Sequence, residues 1–377
     1  MKKGLVAAFI VTLAILGYAF KKPAAAPAAD TIKWMSWEEV QQAQKKEPRK
    51  VFVDVYTEWC GWCKRMDATT FTNTAVNTFA GTFTVAAGTF NSSTASGAVT
   101  FAGNIVNNGV IDVSASGATY TWGTNSKTIS GSGTSTFGIL TVAIASEIVS
   151  GHTVNVNGAF TVNASQTLTN KGTLTSNALT AIIGTGTIIN DESAYFNVAN
   201  TTIGPSLTPS TNANTVTYIG SATQTVRATT NPYYHLAVNK TGTNQLNVIG
   251  SFSSASLPIT GNLNMIAGWF VPKIGTSGTV TITVGGNYHQ TEGTMSLYGG
   301  TSSGTTNLTV SGNFTLDDGT FDFSSATGSG TGAGTVNVDG HFHHEDGIFT
   351  VLTANNAIGS LNLRGVNKNY SQVGGTV

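Results

Sequence analysis

From about Asn77 onward, apolar and polar residues alternate in short runs broken by glycine turns. Alternation with period two places one set of side chains on a single face of an extended strand. The register is clearest near the C-terminus. Gly261-Asn262-Leu263, Gly286-Asn287-Tyr288, Gly312-Asn313-Phe314, Gly340-His341-Phe342 and Gly365-Val366-Asn367 recur at spacings of 25, 26, 28 and 25 residues. Two residues before each glycine stand Ile259, Val284, Val310, Val338 and Leu363; four before stand Leu257, Ile282, Leu308, Val336 and Leu361. A second glycine (268, 293, 319, 347) precedes Phe270, Met295, Phe321 and Phe349 by two residues. Weaker copies lie upstream, around Val99–Ile105 and Val154–Phe160.

A repeat of about 25 residues carrying three short strands predicts a mainly β chain, a parallel β-solenoid (β-helix) whose coils bury apolar faces by stacking on their neighbours. Asn262, Asn287 and Asn313 would then form an amide ladder at a bend, side chain bonding side chain at the strand spacing of about 4.8 Å. The competing geometry reads Asp317-Asp318-Gly319 as a hairpin turn and each repeat as an antiparallel unit. The last repeat stops with Asn367 where earlier repeats have an apolar residue.

Before residue 77 the pattern is of another kind. Ser36 and Glu39 form a capping box that predicts a helix over residues 37–46, with Pro48 preventing its continuation. Residues 51–56 (Val51, Phe52, Val53, Asp54, Val55, Tyr56) read as a short buried strand, followed by a second helix through Met66. Residues 1–20 have a basic start and an apolar run of about 16 residues, short of a span of roughly 20. They read as a signal peptide or a membrane anchor, and residues 21–30 as a linker. The organisation predicted is therefore 1–20 leader, 21–30 linker, 31–76 an incomplete α/β segment and 77–377 the repeat region.

Composition sharpens this seam. Residues 1–76 hold 18 of the 36 charged residues but 3 of the 44 glycines. The chain has no net charge and no dense basic patch, which excludes nucleic-acid binding as a class. The leader implies export, to a bacterial periplasm, a cell surface or the extracellular space, where disulfides persist. Any membrane contact is through residues 1–20.

Trp59-Cys60-Gly61-Trp62-Cys63 contains both cysteines of the chain. A cysteine at the start of a helix meets the positive end of the helix dipole, which favours the thiolate. The two-residue spacing lets Cys63 attack a mixed disulfide formed at Cys60. A zinc site would need more ligands, and every histidine lies beyond residue 150. The stretch from Val53 to Lys64 resembles the thioredoxin superfamily, specifically small exported bacterial thioredoxin-like proteins. The resemblance implies Cys60 as attacking thiol, Cys63 as resolving thiol and Asp54 as the carboxylate that helps deprotonate it. Trp59, Gly61 and Trp62 would flank protein disulfide or dithiol substrates. Asp54 also reads as an ordinary strand-edge carboxylate. The resemblance covers residues 31–76; the family's later strands and cis-proline loop have no counterpart after Val76. Residues 80–377 resemble Gly/Thr-rich repeats of bacterial adhesin-like surface proteins, which implies a scaffold and a surface ligand.

Two side-chain clusters remain. Glu292, Asp318 and Asp346 share one repeat position, where stacked carboxylates would accept calcium or stand as solvated turns. No other cofactor is expected. His341, His343, His344, Glu345 and Asp346 have the composition of a metal cluster, against the reading of an exposed polar strand; His289 shares the register of His343 two coils away. Two functional readings follow. One is an exported thiol–disulfide oxidoreductase, truncated and joined to a β-repeat scaffold. The other is a non-enzymatic surface repeat protein whose N-terminal part is a relic or a chimaeric join.

Overall fold

The structure is a computed structural model that describes residues 35–47, 78–91, 97–124, 126–229, 231–248, 254–274, 277–299, 304–323, 332–351, 358–365 and 368–376. The chain divides between Asn73 and Thr74 into two compact units. In the first, a helix spans Trp37–Lys46. Its capping box is formed: the Glu39 N–H donates to Ser36 Oγ (3.2 Å), and the Ser36 N–H donates to Glu39 Oε2 (2.7 Å). These bonds satisfy end groups that the helix itself leaves open. The remaining elements expected before residue 77, and the leader, lie outside the described residues. Among the described residues no helix is long and apolar enough to cross a membrane.

The second unit is a parallel β-solenoid. Its strands pair in parallel with counterparts one coil away, so the hairpin alternative is overturned. Asp317-Asp318-Gly319 joins two strands of different sheets, Phe314–Leu316 and Thr320–Asp322. A 13-stranded sheet runs from strand Thr89–Asn91 to strand Tyr370–Gln372. In the N-terminal coils it is flanked by a 5-stranded and a 7-stranded sheet, and one coil reads Ala98–Phe101, Ile105–Asn107, Val110–Val113. In the C-terminal coils the flanking sheets are new ones, of 6 and 5 strands with a 2-stranded addition. A coil there reads Thr279–Val284, Tyr288–Gln290, Thr294–Ser296. Coil length changes with the sheets. Equivalent residues are 19 to 24 apart in the N-terminal coils and 25 to 28 apart in the C-terminal ones.

The apolar columns fall in the register expected from the repeats. Leu257, Ile282, Leu308, Val336 and Leu361 stack in one column, and Ile259, Val284, Val310, Val338 and Leu363 in the next. Phe270, Met295, Phe321 and Phe349 form another. Nearly all of these are removed from water, each fully buried large side chain stabilising the coil by about 1.5–3 kcal/mol. Aromatic rings stack along the axis: Tyr288, Phe314, Phe342 and Tyr370 lie 4.4, 4.7 and 5.1 Å apart in turn. This places Tyr370, three residues later in the sequence than the expected position, over Phe342, and the ring stack sets the register there.

The second glycine of each repeat is required by two constraints at once. Gly268, Gly293, Gly319 and Gly347 have φ of 85°, 78°, 87° and 83°, where a side chain is disfavoured. A Cβ at Gly319 or Gly347 would also collide with the carbonyl oxygen of the glycine one coil before.

Candidate functional site

The expected dithiol site, Cys60, Cys63 and Asp54 with Trp59, Gly61 and Trp62, lies outside the described residues. What the described residues hold is a set of polar arrangements inside and along the solenoid.

At the bend of the C-terminal coils a ladder exists, but its rungs differ from those expected. The Asn287 N–H donates to Asn262 Oδ1 (2.9 Å), the Asn313 N–H to Asn287 Oδ1 (2.8 Å) and the His341 N–H to Asn313 Oδ1 (3.0 Å). Each side chain therefore caps the backbone of the next coil, and no amide bonds another amide there. Parallel stacking puts the next coil's N–H within reach of the carbonyl oxygen, a stronger demand than amide pairing at a bend open to water. The series extends at both ends through imidazoles. The Asn262 N–H donates to His235 Nδ1 (2.9 Å), and the Asn369 N–H to His341 Nδ1 (3.4 Å).

The histidine cluster is thereby taken apart. His341 is a ladder rung, His343 points outward to Ser371 Oγ (2.7 Å), and His344 is buried on the opposite face of the same strand. His289 does share the register of His343, through Thr315, and its Nε2 meets Asp317 Oδ2 at 2.6 Å. Among the described residues no group of three His, Cys, Asp or Glu is placed to hold a metal ion. Asp318 and Asp346 each accept the N–H of the glycine that follows, at 2.6 and 2.8 Å.

Sequence reasoning missed the buried polar columns of the N-terminal coils. Asn170 Nδ2 donates to Asn190 Oδ1 (2.8 Å), and Asn190 Nδ2 donates to Asn214 Oδ1 (3.1 Å). All three residues are buried. Asn170 also accepts the Gly172 N–H, as Asn107 accepts that of Gly109 (3.2 and 3.0 Å). The Asn-x-Gly spacing at a strand end was the available signal. Next to Asn107 lies a buried chain: Asn107 Nδ2 to Ser135 Oγ (3.1 Å), and Ser135 Oγ to His152 Nε2 (3.0 Å). His152 Nδ1 reaches the Gly131 carbonyl (3.1 Å), so the bonding assigns the proton to Nδ1 and leaves Nε2 to accept from the serine. Burial holds the His152 pKa below its ordinary value, against a smaller opposing effect of the Gly131 bond. With Ser135 and His152 both fully out of solvent, this pair cannot meet a substrate.

Where the flanking sheets change over, two further clusters close the core. Tyr218 and Tyr233 face each other (3.3 Å between hydroxyls), with Tyr233 donating to the Arg227 carbonyl (2.6 Å) and the Arg227 N–H donating to Tyr218 (2.7 Å). Burial pushes both phenols up. Lys240, 2% exposed, donates to the carbonyls of Gly220 and Ala222 and to Gln224 Oε1, each at 2.7 Å. Burial lowers its pKa to about 8. Three oxygens around one ammonium are a complete set of acceptors, so the cluster is a bracket between coils.

Comparison with known proteins reaches the N-terminal part alone. A family described as "Protein of unknown function, DUF255" (Thioredox_DsbH) matches residues 24–87. Over that span, which includes both cysteines, the chain is similar to a thioredoxin-like family. The last matched residues are already part of the solenoid, since strands Thr78–Phe79 and Phe83–Val85 pair with the second coil. No curated protein and no solved structure matches the chain.

Proposed function

We propose that the chain is an exported β-solenoid scaffold carrying an N-terminal thiol–disulfide exchange module, of activity reduced by truncation. The observation that carries this reading is the family match over residues 24–87, which brackets the CxxC pair. In the reaction, the Cys60 thiolate attacks a protein disulfide, forming a mixed disulfide and releasing one substrate thiolate. Cys63, deprotonated with the help of Asp54, then attacks Cys60 and releases the second. The substrate gains two electrons and the chain keeps a Cys60–Cys63 disulfide. Trp59, Gly61 and Trp62 flank the exchange. The solenoid supplies reach and a surface in the periplasm, at the cell surface or outside the cell.

Insulin reduction by the whole chain tests this, with Cys60→Ser as control. Slow turnover that disappears in Cys60→Ser is expected; turnover equal in both proteins overturns the module. A second reading, a non-enzymatic surface repeat protein, is favoured by one observation: the match ends at residue 87, inside the first coil, and unit one ends at Asn73. It predicts no Cys60-dependent turnover at all.

A further inference from the structure

The outer face of the 13-stranded sheet changes character just before the flanking sheets change over. Its first outward column reads Thr134, Thr153, Thr173 in successive coils. It then continues as Tyr195, Thr215, His235. Tyr195 is 54% exposed, and Thr215 and His235 are half-buried on the same face. Two aromatic side chains therefore stand two strand spacings apart, about 9.6 Å, with the threonine as floor between them. The gap is a cavity of about 160 Å³, closed at the bend before the strands by Ser193, Ala213 and Asn214. That volume is below the range of sites for drug-sized ligands and limits the occupant to a single ring.

The bond of the imidazole to the next coil turns its free edge toward this cavity. Nδ1 of His235 accepts the Asn262 N–H (2.9 Å), and a Cβ on Gly261 would come within 2.7 and 2.8 Å of Nδ1 and Cε1. With that edge against the following coil, the opposite edge, Cδ2 and Nε2, faces back to Thr215 and the cavity. Because Nδ1 accepts, the proton sits on Nε2, and burial favours the neutral ring by lowering its pKa. Nε2 and the hydroxyls of Ser193, Tyr195 and Thr215 have no hydrogen-bond partner among the described residues. The wall carries no charged side chain that would neutralise an ion. It offers one N–H donor, hydroxyls and an open aromatic face. We propose that the trough holds one neutral sugar ring of a glycan, its C–H face on Tyr195 and its hydroxyls on Ser193, Thr215 and His235 Nε2. Asn214 beneath is fixed by bonds to the Ser210 and Asn212 carbonyls (3.0 and 2.7 Å), so the floor is formed before the ligand arrives. The site is independent of the dithiol reading, since it uses no residue before Ser193.

Saturation-transfer NMR titration of the whole chain with glucose, galactose and N-acetylglucosamine, and with glucuronate as the charged control, is the test. Saturable binding of at least one neutral sugar is expected. Tyr195→Ala should weaken it about tenfold and Thr215→Val several-fold. Both side chains lie on the outer face, and either variant stands in if the other does not fold by circular dichroism. Thr153→Val, two coils before Tyr195 in the same column, should leave binding unchanged. Glucuronate should bind more weakly than the neutral sugar. No binding of any neutral sugar, equal binding to wild type and cavity variants, an equal loss in Thr153→Val, or glucuronate binding tighter than the neutral sugars would each overturn the proposal.

Discussion

In the N-terminal coils Asn170, Asn190 and Asn214 point into the core and bond one another. In the C-terminal coils Asn262, Asn287 and Asn313 stand at an open bend and take the backbone N–H of the next coil. The same residue type, stacked at the same strand spacing, thus does different work on the two sides of the change-over. Inside, an amide must satisfy both its oxygen and its nitrogen from protein, and a column of identical neighbours does so because each donates to the next. At the bend water serves the amide nitrogen, so the oxygen is free to cap backbone. Place in the coil decides which ladder forms, not residue identity: exposed pairs on the strands or just past their ends, Asn177–Asn157 (2.8 Å) and Asn362–Asn337 (3.0 Å), also bond amide to amide, whereas the bend offers a backbone N–H instead.

The comparison breaks most visibly at its buried centre. Asn190→Leu removes the donor to Asn214 and to the Thr215 carbonyl (3.1 Å each) and the acceptor of Asn170. Groups left unsatisfied in a dry core cost about 3 kcal/mol in sum. Hydrogen exchange resolved along the chain should show the coils around Asn190 losing protection while the coils after Gly261 keep theirs. Equal loss in both halves would mean that the solenoid melts as one unit, against the nearest-neighbour behaviour expected of stacked repeats. On the other side, Gly319→Ala forces a left-handed φ of 87° on alanine and drives its Cβ against the Gly293 carbonyl. A loss of about 2 kcal/mol is expected, read as lower urea resistance of the C-terminal coils. A shift below the scatter of replicate midpoints would show that the coil relaxes instead.

Acid separates the halves by burial of their histidines. His152 and His235 both have pKa values lowered by burial, and both bond through an unprotonated nitrogen. A depressed folded pKa means that the unfolded chain binds the proton more readily. The stability contributed by the neutral ring is therefore complete above the unfolded value of about 6.5 and is lost as pH falls through the folded one. His152, wholly out of solvent, should give the larger effect. Between pH 7.5 and 5 the coils around Ser135 should lose more exchange protection than those around Asn262, and His152→Leu should flatten that slope. The reverse order would contradict the burial argument.

The apolar columns were legible because their period is carried by residues that have no alternative to burial: Leu257 to Leu361 and Phe270 to Phe349 stack as the alternation implies. The exposed asparagine series was legible as a position but not as a bonding pattern, since sequence does not say whether a side chain meets another side chain or a backbone N–H. The buried asparagines escaped because Asn107 and Asn170 look like turn residues ahead of Gly109 and Gly172. Lys240 and Lys127 were invisible for a related reason. A lysine in a strand, like Lys127, or just after one, like Lys240, reads as solvent-facing until the coil places it inside. The cysteine pair stands apart, being identified by its spacing and by the family match rather than by any described geometry.

The finest distinction concerns the first rung of the outer ladder, where an imidazole replaces the amide. His235 Nδ1 accepts the Asn262 N–H at 2.9 Å, the same bond that Asn262 Oδ1 provides to Asn287. If the rung needs only an acceptor at that point, His235→Asn keeps the ladder, and stability at pH 7.5 changes by less than about 1 kcal/mol. The two proteins should part only in acid. Protonation of the imidazole removes its acceptor, whereas an amide oxygen stays an acceptor throughout, so exchange protection at Asn262 should fall between pH 7.5 and 5 in the wild type alone. Protection that falls equally in both proteins would assign the acid response of the C-terminal coils to another group. His235 would then be a rung whose chemistry the fold does not read.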